Sequence, residues 1–203
     1  MSVPTVFVVD DDDAVRRALS RMLGVAGYEV TTFASAESFL ESYDPDSPGC
    51  LILDVRMPGM DGLELQQKLT EQSLAPPVII LTAHADVPMA VDALQDGAVA
   101  FIEKPFEKEH LLERIERALQ HDARRRRNQS ECAVVQSRLN TLTPREREVL
   151  DLLVEGLAVK QIAVRLGTQR HTVKHQRASV LRKMESVSEV ELVKAIALLR
   201  SES

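Results

Sequence analysis

With 203 residues, 44% hydrophobic and 28% charged, the chain has the composition of an ordinary soluble protein and the length of two domains, each able to bury a core. No apolar run reaches the roughly 20 residues that cross a bilayer, and the first residues lack a basic segment leading into an apolar one, so a cytoplasmic location without membrane contact is expected. The net charge of -6 divides unevenly: Lys and Arg number 9 against 21 Asp and Glu over residues 1–121, 5 against 2 over 122–140, and 11 against 8 over 141–203. Only the back half is therefore suited to meet a polyanion.

In chain order, Thr5-Val6-Phe7-Val8-Val9 is an unbroken β-branched run ending at Asp10-Asp11, the pattern of a strand buried on both faces of a parallel sheet. Val15, Ala18, Leu19, Met22, Leu23 and Ala26 then recur at helical spacing, with Gly27 placed to end the helix. Tyr28 to Phe33 reads as a second strand, and Ser35 as the N-cap of a short helix to Tyr43. The third strand, Cys50 to Leu53, stops at Asp54 and runs into a Pro/Gly-rich loop from Met57 to Gly62. A helix from Leu63 to about Gln72, a fourth strand at Val78–Leu81, a helix from Pro88 to Asp96 closed by Gly97, and a fifth strand at Val99–Ile102 complete the alternation. Lys104-Pro105-Phe106 turns the chain into a last helix. This alternation predicts a doubly wound α/β fold with a five-stranded parallel sheet, as in flavodoxin-like proteins. Cys50 and Cys132 are too far apart in sequence for a metal or disulfide spacing and read as free thiols.

Ligands of such sheets sit at the carboxyl ends of the strands, where this chain places Asp10, Asp11, Asp54, Thr82 and Lys104. Carboxylates brought together repel unless a cation lies among them, and hard oxygen donors suit Mg²⁺. Lys104 and Thr82 would then bind the oxygens of a phosphoryl group on Asp54. Taken singly, each has a plainer reading: an acidic run as helix-start charges, a solvated lysine, a strand-end threonine. Their joint fall on one sheet edge favours a site, with Asp12 and Asp13 left as helix-start charges.

VVDDD in the first strand, LDVRMPGMDG at the third, LTAHAD at the fourth and IEKPF at the fifth resemble the receiver domain of two-component response regulators over residues 4–121. The resemblance implies that Asp54 takes a phosphoryl group from a sensor histidine kinase. It implies a Mg²⁺ site made by Asp11, Asp54 and the backbone carbonyl of Arg56, with Asp10 acting through water, and a cis Lys104–Pro105 bond. It also implies that Lys104 and Thr82 engage the phosphoryl group while Phe101 rotates into the space Thr82 leaves; plain core is the other reading of Phe101.

Residues 122–140, with Arg124-Arg125-Arg126-Arg127, read as a helical basic linker that is either solvated or a DNA-backbone contact. In residues 141–203, Thr143, Pro144 and Glu146 form a capping box that starts a helix ending at Gly156. Val159–Leu166, Arg170 to about Met184 and Val187–Leu199 supply three more, the middle pair joined at helix-turn-helix spacing. On the third helix Val173, Val180, Leu181 and Met184 face inward, turning His171, His175, Ala178 and Arg182 outward with Lys174 and Ser179 at the flanks. That face is free of acid until Glu185, so it can enter a major groove. His171 and His175 at i, i+4 would make only half a metal site.

LTPREREVLDLLVEGL through LRKM resembles the tetrahelical LuxR-type helix-turn-helix domain of the NarL/FixJ class. The resemblance implies double-stranded promoter DNA as partner, with Arg170, His171, Lys174, His175, Gln176, Arg177, Ala178, Ser179 and Arg182 as candidate contacts. Thr168 and Gln169 depart from the apolar-Ser pair that usually opens the recognition helix, so its N-cap is weakened or moved to Thr168. The expected function is a FixJ-like DNA-binding regulator that dimerises when Asp54 is phosphorylated, and not an enzyme. The alternatives are a regulator independent of phosphate, a protein that binds only other proteins, and a Mg²⁺-dependent phosphohydrolase; the last lacks a general acid two residues after Asp54.

Overall fold

The computed structural model describes residues 3–71, 75–83 and 87–201 and divides into two compact units, Met1–Arg125 and Arg126–Ser203. The first alternates strand and helix: β1 (Thr5–Val9), α1 (Asp13–Val25), β2 (Glu29–Phe33), α2 (Ala36–Ser42), β3 (Gly49–Leu53), α3 (Gly62–Thr70), β4 (Val78–Thr82), α4 (Val87–Gln95), β5 (Ala100–Glu103) and the start of α5 (Lys108–Asn140). The strands form one sheet in the order β2-β1-β3-β4-β5, with every pair parallel.

The apolar runs form central strands because both of their faces are covered. Phe7, Val9, Leu51, Leu53 and Ile80 pack with Phe39, Leu65, Leu69 and Ala93 from α2, α3 and α4. The alternate residues Val6, Val8, Cys50, Ile52, Ile79 and Leu81 pack with Leu19, Leu23, Leu111 and Ile115 from α1 and α5. Each large side chain so buried contributes about 1.5–3 kcal/mol. Phe39 stacks on Tyr43 with ring centroids 4.8 Å apart and meets Phe7 edge-on at 5.8 Å, closing the first of these cores.

Helix starts follow local chemistry. Asp12 caps α1 by accepting from Ala14 N at 2.8 Å, and Ser35 and Asp61 cap α2 and α3 through capping boxes. Helix α3 therefore begins one residue earlier than its hydrophobic pattern alone shows, at Gly62. The expected end of that helix at Gln72, and His84 to Asp86 of the fourth-strand motif, lie outside the described residues.

The second unit holds the end of α5 with α6 (Pro144–Val154), α7 (Val159–Arg165), α8 (Arg170–Lys183) and α9 (Glu189–Ser201). Val149, Leu150, Leu153, Ile162, Val173, Val180, Leu192 and Ile196 form its core, which also takes in Val135. Thr143 caps α6 with Glu146 closing the box and Pro144 in the first turn. The N-cap of α8 is Gln169 and it makes no side-chain cap bond; the cap is weakened and does not move to Thr168.

The division between the units falls inside α5, a helix of 33 residues. Residues 122–140 are therefore continuous with the helix before them, and Arg125 is not a solvated linker residue. Its side chain is 22% exposed and pairs with Asp122 at 2.6 Å.

Candidate functional site: an acidic pocket and a basic helix

Backbone pairing carries the pocket residues just past the strands. Asp54 N donates to Val9 O at 2.9 Å and Lys104 N donates to Thr82 O at 2.8 Å, bringing the ends of β1, β3, β4 and β5 to one edge. Gly62 sits against this edge. A Cβ there would lie 2.1 Å from the Asp54 carbonyl oxygen, so only glycine lets the loop return so close.

Asp10 and Asp54 are 3% and 8% exposed, and Thr82 is 1% exposed. The Lys104 ammonium bridges the two carboxylates, donating to Asp10 Oδ2 at 2.7 Å and Asp54 Oδ1 at 3.0 Å. Asp54 Oδ2 accepts from Arg56 N at 2.9 Å. Asp10 Oδ1 accepts from Asp12 N at 2.9 Å, and its carbonyl accepts from the Arg16 guanidinium at 2.7 Å. Arg16 has no counterpart in the sequence reading; it fixes the loop between β1 and α1.

Burial raises the Asp54 carboxyl above its ordinary pKa; the Lys104 bond and charge pull it back, Asp10 adds repulsion, and Arg56 N opposes it. Burial acts to lower the Lys104 ammonium, but its bonds to Asp10 and Asp54 and their charges leave it raised. The pocket thus holds a charged lysine against a carboxylate that desolvation has made more basic and more nucleophilic.

Asp11 and Arg56 are exposed at the same edge. Phe101 is half-buried against the core on the α2–α4 side of the sheet. Lys104–Pro105 is cis. Among the described residues no group of three His, Cys, Asp or Glu side chains is close enough to hold a metal ion. The donor chemistry nevertheless fits Mg²⁺, a hard cation that keeps several waters and needs only one or two carboxylates with a carbonyl. Asp54, Asp11 and the Arg56 carbonyl are donors of that kind.

In the second unit, Arg170, His171, Lys174, His175, Ala178 and Arg182 are exposed along α8, while Gln176, Arg177 and Ser179 are partly buried. Arg177 pairs with Glu189 at 2.6 Å. Ser179 Oγ donates to Glu146 Oε1 at 2.7 Å, and the Gln176 side-chain oxygen is buried without a hydrogen bond among the described residues. Gln176 and Ser179 therefore face the protein, Arg177 is tied to Glu189 of α9, and the exposed six form the outward stripe. Glu146 joins α6 to α8: its Oε2 accepts from Lys183 Nζ at 2.7 Å and from Thr143 N at 2.8 Å. Those contacts and that of Ser179, led by Lys183, hold its carboxyl down to about 2. The capping-box pattern made Glu146 legible as a cap, but not as the residue that fixes the recognition helix.

Comparison with known proteins agrees with both halves. A family described as "Response regulator receiver domain" matches residues 6–116, and one described as "Bacterial regulatory proteins, luxR family" matches residues 140–196. The chain is 44% identical over 191 residues to the transcriptional regulatory protein FixJ of Rhizobium meliloti, covering 94% of this chain and 93% of FixJ. It is 42% identical over 189 residues to nodulation protein W of Bradyrhizobium diazoefficiens, covering 93% of this chain and 83% of that protein. Among solved structures, response regulator StyR matches with a TM-score of 0.85 at 45% identity, covering 97% of this chain and 99% of StyR. FixJ is a transcriptional regulatory protein and StyR a response regulator, which removes the phosphohydrolase alternative. The chain belongs to the NarL/FixJ class of response regulators, and is a phosphorylation-controlled transcription regulator, not an enzyme.

Proposed function

We infer that Asp54 is the phosphoacceptor and that a sensor histidine kinase supplies the phosphoryl group. The observation that carries this reading is the buried Asp54 carboxylate, 8% exposed, lying 3.0 Å from the Lys104 ammonium. An Asp54 carboxylate oxygen attacks the phosphorus of the phosphohistidine, the P–N bond breaks, and the imidazole leaves. Lys104 balances the added charge, and the Thr82 hydroxyl donates to a phosphoryl oxygen. Phe101, half-buried beside β4, follows Thr82 inward.

Asp11, Asp54 and the Arg56 carbonyl would hold Mg²⁺, with Asp10 beside them, and the bound cation would supply charge stabilisation for the phosphoryl oxygens. Arg16 and Arg56 N keep Asp10 and Asp54 in place during transfer. The receiver is assigned to residues 1–121, the connector to 122–140 and the DNA-binding domain to 141–203.

Phosphorylation shifts the receiver between two states, favours a homodimer through the face of α4 and β5, and promotes binding to two half-sites of promoter DNA. Arg170, His171, Lys174, His175, Ala178 and Arg182 make the DNA contacts, while Gln176, Arg177 and Ser179 set the pose of α8.

Incubation with radiolabelled acetyl phosphate and Mg²⁺ tests the acceptor. The full chain takes up about one label per molecule and Asp54→Asn takes none; persistent stoichiometric labelling of Asp54→Asn overturns the assignment.

A further inference from the structure

The edge of the sheet opposite the acidic pocket carries a second buried polar cluster. Asp122 is 2% exposed. Its Oδ2 accepts from Gly49 N, the first residue of β3, at 3.0 Å. Its Oδ1 accepts from the Arg125 guanidinium at 2.6 Å. The same guanidinium donates to the Ala75 carbonyl, just ahead of Pro76, Pro77 and β4. Position 49 admits no side chain, because a Cβ there would lie 2.1 Å from the Thr5 carbonyl oxygen.

The two strands held in this way are those whose other ends present Asp54 and Thr82. Helix α5 starts at Lys108, near Lys104, and the 14 residues from there to Asp122 cover about 21 Å at helical rise. A five-residue strand covers about 17 Å. Helix α5 therefore crosses the full depth of the sheet, from the phosphoacceptor edge to the Gly49 edge. It continues without a break past Arg125 to Val135, a core residue of the second unit.

The cluster is not optimised as a permanent anchor. Among the described residues Arg125 Nε is buried without a hydrogen-bond partner, as is Gln66 Oε1, and both residues line a cavity of about 210 Å³ with Pro77, Val78, Val99 and His121. An unpaired buried donor weakens the contact it belongs to, and the cavity gives the guanidinium room for a second position.

We propose that Asp122 and Arg125 form a latch that holds α5 to the amino ends of β3 and β4 in the unphosphorylated chain and opens when Asp54 is phosphorylated. This rests on Asp54 being the phosphoacceptor. Opening frees α5, which runs into the DNA-binding unit, and by linkage phosphorylation of Asp54 and binding of DNA then favour each other to the same degree. The latch residues touch neither the phosphoryl group nor DNA; they act through α5.

The test uses the full chain with acetyl phosphate and Mg²⁺, and a duplex selected from a random library by the phosphorylated protein. Hydrogen exchange at the Gly49 amide accelerates at least tenfold on labelling. Arg125→Met keeps the apolar stem, takes label normally, and binds the duplex more tightly before labelling, so the gain on labelling falls at least threefold. Asp122→Ala behaves alike; should it fail to fold, Arg125→Met carries the test. Unchanged Gly49 exchange in labelled protein, or a gain within twofold of wild type in Arg125→Met, overturns the latch. A wild-type chain that takes no label at Asp54 overturns the phosphoacceptor reading beneath it, whereas one that takes label and gains no affinity for the duplex overturns the latch alone.

Discussion

Glu146→Gln separates the pose of the recognition helix from its contacts with DNA. The carboxylate is 8% exposed and accepts from Lys183 Nζ, Ser179 Oγ, Thr143 N and Thr143 Oγ1 at 2.7, 2.7, 2.8 and 3.1 Å. Hydrogen bonds to a charged group contribute about 1.5–3 kcal/mol each. Lys183 and Ser179 both recover part of that from water when the carboxylate goes, which leaves a net loss of about 2–3 kcal/mol for the second unit. The carboxyl is held at about 2 against an ordinary 4.5. A depressed carboxylate contributes stability that is full above its unfolded value and is lost as the pH falls toward the folded one. The gap between wild type and Glu146→Gln is therefore constant above about pH 5.5 and narrows by about 1 kcal/mol at pH 3.5. The chain has no Trp and its two Tyr, Tyr28 and Tyr43, lie in the first unit, so optical aromatic signals do not report this site. Urea titration followed by the amide resonances of Thr143 and Ser179 does. A gap that stays the same from pH 6 to pH 3.5, or one below about 0.5 kcal/mol at pH 7, refutes the network's role.

Asp54→Asn raises the melting temperature of the first unit while abolishing labelling. Burial raises the Asp54 carboxyl, so its ionised form costs stability at neutral pH, a cost that shrinks as the pH falls through the folded value and is gone below the unfolded one. Asparagine removes the cost, and calorimetry should show a higher unfolding midpoint than wild type at pH 7. Lys104→Met acts in the opposite direction. It leaves Asp10 and Asp54 facing each other without the ammonium that bridges them, and chemical denaturation should show a loss of about 2–3 kcal/mol. Gly62→Ala drives a methyl into the Asp54 carbonyl; a loss of 3 kcal/mol or more, with slowed labelling, is expected by the same assays. On DNA, Lys174→Ala, exposed on α8, weakens binding and reduces the slope of log affinity against log salt by about 1 in fluorescence anisotropy. Arg177→Ala, whose guanidinium is paired with Glu189, lowers affinity without that change in slope.

The receiver half was legible because a parallel sheet buried on both faces leaves a strong mark: Val6 to Val9, Cys50 to Leu53 and Val78 to Leu81 are apolar without interruption, and each stops at a polar residue at the strand's end. Asp10, Asp54, Thr82 and Lys104 could therefore be placed on one edge before any coordinates. Bonds between distant residues leave no such mark. Asp122 and Gly49 are 73 positions apart and Glu146 and Lys183 are 37 apart; neither pair shares a helix or strand whose period could expose it. The four-arginine run shows the same limit, since its charge predicts solvent or a DNA backbone for every member and only tertiary contact ties Arg125 to Asp122 and the Ala75 carbonyl.

The start of α8 shows how these long-range bonds take over where local signals fail. Gln169 makes no side-chain cap bond, and an uncapped helix start typically lacks about 1 kcal/mol of local stabilisation. The first turn is held instead by packing of Val173 into the core. Further along, Arg177 is tied to Glu189, Ser179 and Lys183 are tied to Glu146, and Val180 and Met184 are buried. Polar anchoring is thus concentrated in the later turns, while Arg170, His171, Lys174 and His175 project from the less constrained ones. A recognition helix fixed in this manner can adjust its leading turns to the groove without losing its seat, which is why Glu146→Gln should loosen the helix as a whole while Lys174→Ala removes a single contact.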